Sequence, residues 1–340
     1  MKKLKVKDLH HDTVTTEFDR LTLIDLKSLL SNHEDFTHTG CPACLDVDVS
    51  FQFVHQELSY HRCNQCELLY ISPAPSEAMH LDYVINSQAM EYWRKNTPDT
   101  MHKSRLPMYE ERLEFVESWL KKESRIPKSS LEIGAGNGEF AALLAKSELN
   151  IKSITLLEPQ ELDITDPKIS LIKGGFVELE ESEQSFDVVF AWELIEHLLE
   201  PDNFLRVVKK SLKTGAPFIF STPNEKSLET RLLQTASSNI LFDHVRLYNP
   251  QAITKLLERN GFRVIDISTP GQLDVERLQN HMADNQGVFD NDPALKFILN
   301  NESEIGDSFQ QYLCDNLNSS HMRVIAVSEG DWNGSKPPTL

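Results

Sequence analysis

The stretch LEIGAGNGEF, residues 131–140, constrains this chain more than any other. An apolar run ends at Ile133, Gly134, Gly136 and Gly138 follow, and a helical pattern opens near Phe140. Glycines let a backbone turn sharply and approach a ligand with no Cβ in the way. Glu132 sits two residues before the first glycine, and the next apolar run, SITLLE, ends in Glu158. An acid at the end of a second strand is placed to accept hydrogen bonds from ribose hydroxyls. Alone, the loop would also fit a tight strand-to-helix turn, and both carboxylates could be solvated surface groups. A dinucleotide fingerprint prefers GxGxxG, whereas the spacing here is GxGxG.

The rest of the chain repeats the same rhythm. Short apolar runs fall at 130–134, 153–158, 169–174, 186–191, 216–222 and 262–268, with a last one in HMRVIAVSE (321–329). Amphipathic stretches such as FAALLAKSEL, FLRVVKKSL and ITKLLERNG separate them, and Gly261 stands where a helix C-terminal glycine belongs. Strands alternating with helices predict an α/β fold: a Rossmann-like, seven-stranded, mostly parallel, doubly wound sheet. The expected organisation is an N-terminal extension (1–37), a small zinc ribbon (38–80), a helical linker or cap (81–127) and the sheet domain (128–340). A helical insertion is expected at about 270–320, where the rhythm breaks.

Four of the five cysteines form CPAC (Cys41, Cys44) and CNQC (Cys63, Cys66). This C-x2-C…C-x2-C spacing predicts a tetrahedral zinc site. Four thiolates would close the shell, so the ion is expected to be structural. Paired disulfides are the competing reading. FQFVHQELSYHRC between the pairs alternates enough for a hairpin, and LLYISP should leave as a further strand. A ribbon this small needs its metal for stability.

LEIGAGNGEF, LLEP, FDVVFAWELIEHLLEP and GAPFIFSTPN, in that order, resemble class I S-adenosylmethionine-dependent methyltransferases. With YHRCNQCELLYISPAP and DHVRLYNPQAITKLLERNGF, the chain is similar to sugar C-methyltransferases and their relatives in surface-polysaccharide and deoxysugar biosynthesis, which carry an N-terminal zinc ribbon. Leu45 and Glu67 depart from that pattern, because a zinc knuckle often has glycine there. The resemblance implies S-adenosyl-L-methionine as cofactor, held by Gly134, Gly136, Gly138 and Glu158, with Glu132 beside the loop. It places Phe176 near the adenine, with Ala191 and Trp192 ending the fourth strand against the adenosine. It implies a small-molecule acceptor, in the first place a nucleotide-linked sugar.

Removing a proton from an oxygen or carbon acceptor calls for a base, and histidine has the suitable range. His244 in DHVRLY and His197 after Glu196 are both expected at the carboxyl edge of the sheet, where doubly wound folds bind ligands. His244 is the first choice for base, with Tyr248 and Glu196 in supporting roles and His197 as the alternative. His10, His11, His33 and His38 are expected to be solvated. The formal net charge of -18 disfavours nucleic-acid backbones as partners. No apolar run is long enough for a membrane span, and no secretory signal is evident, so a cytoplasmic setting is expected. Two other readings are an RNA or protein methyltransferase that docks its substrate through the ribbon, and a noncatalytic cofactor-binding protein. The oligomeric state is not legible.

Overall fold

Hydrophobic alternation builds two sheets in the computed structural model, which describes residues 5–6, 12–96, 99–301 and 305–328. His10, His11 and residues 329–340 lie outside the described residues. After the helix Asp12–Leu30 come β1 (Val49–His55), β2 (Leu58–Cys63) and β3 (Leu69–Ile71), an antiparallel ribbon. The helices Glu77–Asn86, Gln88–Asn96 and Asp99–Lys122 follow. The second sheet and its connections supply β4 (Ser129–Ile133), β5 (Ser153–Glu158), β6 (Ile169–Lys173), β7 (Val188–Trp192), β8 (Pro217–Pro223), β9 (Arg246–Leu247), β10 (Phe262–Ser268) and β11 (His321–Ser328).

The large sheet has seven strands in the order β10-β11-β8-β7-β4-β5-β6. β4, β5, β6, β7 and β8 pair in parallel, while β11 runs antiparallel between β8 and β10. This is the doubly wound α/β architecture expected from the sequence.

Period-two alternation sends successive side chains to opposite faces. Val189 and Ala191 of β7 join Phe218 and Phe220 of β8 in one core, packed by Phe204, Val207 and Val208 and by Ile253, Leu256 and Leu257. Val188, Phe190 and Trp192 join Ile219 on the other face, packed by Val116, Leu120, Phe140 and Leu144. Each such side chain contributes about 1.5–3 kcal/mol relative to exposure. The helix Pro201–Ser211 starts with proline at its first position, where its missing N–H costs nothing. Asn249 caps the helix Pro250–Arg259 by accepting from Ala252 N at 2.9 Å.

The ribbon is not a detached module. β9 follows His244 closely in the chain, yet it completes the ribbon sheet, whose order is β1-β2-β3-β9. Cys41, Cys63, Cys66 and Tyr70 are buried in the same core as β4, β7 and β8. Between β10 and β11 lie the helices Asp274–Asp284, Pro293–Asn300 and Ile305–Asp315, which share their own small apolar core. Among the described residues no helix is long and apolar enough to cross a membrane.

Candidate functional site

A cleft of about 1190 Å³ opens at the carboxyl ends of the parallel strands. Gly134, Gly136 and Gly138 all have positive φ, at +71°, +58° and +78°. A Cβ on Gly136 would meet nothing within 4 Å, so the space beside it is open. The Gly136 N–H donates to Glu158 Oε2 at 3.0 Å, which ties the loop to the end of β5. Burial raises the Glu158 carboxyl, and that N–H opposes the rise. Glu132 is almost fully buried behind the loop, and burial pushes its carboxyl up to about 8 against the pull of Arg112. Its Oε2 has no hydrogen-bond partner. An open glycine cradle flanked by two carboxyl groups suits a polyhydroxylated ligand.

Trp192 lines the cleft, with its ring against Phe140 at 4.9 Å and the Arg112 guanidinium 5.1 Å over its face. Ala191 points the other way, into the core around Phe218. Phe176 packs on Phe204 at 5.3 Å and does not line the cleft. It stands on the helix Phe176–Glu180, whose Leu179 is buried in the same core as Phe204.

His244 lines the cleft. Its Nδ1 lies 2.9 Å from the Asn239 carbonyl, so the neutral ring donates there and keeps Nε2 as a proton acceptor. His197 stands behind it, with ring centroids 4.8 Å apart. His197 Nδ1 meets the Asp243 carbonyl at 2.9 Å, and burial lowers its pKa. Glu196 is fully buried and accepts from Thr222 Oγ1 at 3.0 Å, while its Oε1 lies 3.9 Å from His197 Nε2. Burial, reinforced by Glu193, holds that carboxyl well above the usual range. Tyr248 is sealed in the core and does not reach the cleft. It lies four positions past His244, but β9 intervenes and turns it inward.

The sequence reading missed a second polar group in the cleft. Glu193 follows β7 with φ +51°, a conformation L residues rarely adopt. Its carboxylate accepts from Ser221 Oγ, meets His321 Nδ1 at 3.2 Å and meets Arg112 at 3.5 Å. Burial raises its pKa, but His321, Arg112 and Ser221 together hold it well below the usual carboxylate range. Its place one residue past Trp192 was the only signal in the sequence.

Cys41, Cys44, Cys63 and Cys66 bring four sulfurs within 4.8 Å of one another. The pairs Cys41–Cys66 and Cys44–Cys63 are 3.4 and 3.5 Å apart. A tetrahedral thiolate site with metal–sulfur bonds of about 2.3 Å needs sulfurs roughly 3.8 Å apart, so the donor set fits zinc. The two knuckles are built alike. Cys41 N donates to Asp46 O and Leu45 N to Cys41 O, while Cys63 N donates to Leu68 O and Glu67 N to Cys63 O. Leu45 and Glu67 adopt φ of +65° and +60°, the conformation for which such knuckles favour glycine.

Residues 101–267 match a family model described as "Methyltransferase domain". The Mycolicibacterium smegmatis protein named Probable S-adenosylmethionine-dependent methyltransferase is 29% identical over 140 residues, covering 40% of this chain and 52% of that protein. The ubiquinone biosynthesis O-methyltransferase of Colwellia psychrerythraea is 26% identical over 153 residues, covering 41% and 62%. The match therefore spans between half and two thirds of those relatives. The plantazolicin methyltransferase BpumL in complex with SAH is similar at a TM-score of 0.46 and 14% identity, over 73% of this chain and 93% of that one. These likenesses support S-adenosylmethionine-dependent methyl transfer by the region 101–267, which is similar to a methyltransferase domain.

Proposed function

We propose that this chain transfers a methyl group from S-adenosylmethionine to a small hydroxylated metabolite, and that a nucleotide-linked sugar is the acceptor class. The observation that carries the reading is one continuous cleft, lined by Gly134, Gly136 and Glu158 and also by His244. Bound S-adenosylmethionine supplies an electrophilic sulfonium methyl group. Glu158 stands to accept the ribose hydroxyls, and Trp192 to cover the adenosine. Glu132 places a buried carboxyl close to the cofactor's cationic part. His244, through Nε2, takes the proton that the acceptor must lose. His197, Asp243 and Glu196 surround that ring from behind. The cleft walls also hold Asp19, His55 and Gln56, which offer hydrogen bonds to a hydroxylated acceptor.

Calorimetry tests the cofactor half. S-adenosylhomocysteine should bind and NAD should not. Glu158→Ala should weaken S-adenosylhomocysteine by about 1.5–3 kcal/mol, since a charged acceptor of hydrogen bonds is lost. NAD binding without any response to S-adenosylhomocysteine would move the chain to another class. Transfer of labelled methyl to a panel of nucleoside diphosphate sugars tests the acceptor half, and no labelled product from any of them would remove that acceptor class.

The cysteine quartet is read as a structural zinc site. Metal analysis should find about one zinc per chain, lost in Cys63→Ser. No metal, with the cysteines oxidised in pairs, would replace the zinc with disulfides.

A further inference from the structure

We infer that the zinc ribbon is an internal clamp, which builds and holds the acceptor wall of the cleft. It rests on reading the cleft as the acceptor site.

The backbone carbonyls of the two metal-binding turns are themselves acceptors for the helix that follows His244. Asn249 Nδ2 donates to Cys66 O at 3.2 Å, and Gln251 Nε2 donates to Gln65 O at 2.8 Å. Arg259 donates from Nε to Ala43 O at 3.0 Å and from Nη2 to Pro42 O at 2.9 Å. Both knuckles are thus gripped by the helix Pro250–Arg259 and its cap, through three side chains. Asn249 is also the residue that caps that helix.

The segment between His244 and that helix is held as well. β3 pairs with β9 in the register Leu69↔Leu247 and Tyr70↔Arg246, and Ile71 N donates to Val245 O at 3.2 Å. Arg62 of β2 pairs with the nearly buried Glu225 at 3.0 Å, and Glu225 N donates to Tyr248 O at 2.8 Å. On the other side of His244, the Tyr60 hydroxyl donates to Leu241 O at 3.4 Å.

The ribbon also reaches the cleft directly. The turn between β1 and β2 is Gln56–Glu57, with φ of +49° and +66°, and His55 and Gln56 line the cleft. Gln56 Oε1 is buried with no hydrogen-bond partner. It is placed to accept from a hydroxyl group of a neutral, sugar-like acceptor.

The metal would matter because each knuckle contains a residue in a costly backbone conformation. Leu45 and Glu67 sit in the left-handed region, at a cost of about 1–2 kcal/mol each. Four metal–thiolate bonds would hold those turns, and the turns hold the carbonyls that Asn249, Gln251 and Arg259 bind. The glycine loop and Glu158 make none of these contacts, so cofactor binding should be indifferent to the ribbon.

Hydrogen exchange of the full chain, with and without a zinc chelator, tests the inference. Chelation should speed exchange at least tenfold in residues 245–252 and leave residues 129–146 and 153–158 unchanged. The affinity for S-adenosylhomocysteine should stay within about twofold, while the His244 ring-proton NMR resonance, assigned with His244→Gln, should move. Unchanged exchange in 245–252, or an equal rise throughout the sheet, overturns the clamp. If the chelated protein precipitates, the double variant Gln251→Ala/Arg259→Met carries the test with all four cysteines intact. Zinc should leave it several-fold faster, read with a metallochromic chelator, and release at the wild-type rate overturns the inference. Failure of the wild type to bind S-adenosylhomocysteine would instead sink the methyl-transfer reading and leave the exchange result standing.

Discussion

Gly136→Val should lower the affinity for S-adenosylhomocysteine at least 100-fold while the chain stays folded. The two halves of that expectation have separate causes. A Cβ at this position meets no atom within 4 Å, so the first side-chain carbon is accommodated by the protein itself. The fold loses only the cost of placing a β-branched residue at φ +58°, about 1–2 kcal/mol. The branched side chain then occupies the space that a ligand needs next to the Gly136 N–H and Glu158. Calorimetry with S-adenosylhomocysteine, beside thermal denaturation, separates the two. Gly136→Ala should fall between wild type and valine. A valine variant that binds like wild type would mean that the ligand does not approach this loop.

His244→Ala should lower kcat by roughly 10²–10⁴ once the acceptor is in hand, with cofactor affinity nearly unchanged. The Asn239 carbonyl fixes the His244 tautomer, and the ring lines the cleft. His197→Ala is the matched control. That ring packs behind His244, bonded to the Asp243 carbonyl, so its loss should act by loosening His244 and should be the smaller effect. A larger loss in His197→Ala would exchange the two roles. Wild-type turnover by His244→Ala would leave alignment of an already reactive acceptor as the mechanism.

The seven-stranded sheet was legible because each strand is an apolar run closed by glycine, proline or an acid, and the glycine loop marks where the first one ends. Gly136 and Glu158 were legible for the same reason: a local pattern places them. The group around Glu193 was not. Arg112, Ser221 and His321 come from a preceding helix, β8 and β11, and only the strand order brings them to one carboxylate. Phe176 and Tyr248 show the opposite error. Their positions along the chain point to the cleft, but Phe176 faces Phe204 from a short helix, and β9 turns Tyr248 into the core. β9 itself is two residues long, too short for any periodicity to reveal, yet it joins the ribbon to the segment after His244.

The position of β11 bears on synthesis. It enters between β8 and β10, which are not paired with each other, so both present open edges until it arrives. Residues 269–320 must be made first, which takes roughly 3–10 s at about 5–20 residues per second. Throughout that interval a nascent chain exposes two strand edges rich in valine, isoleucine and phenylalanine, a template for pairing with a neighbour. Released chains truncated before His321 should therefore aggregate or recruit chaperones, and released chains that include β11 should not.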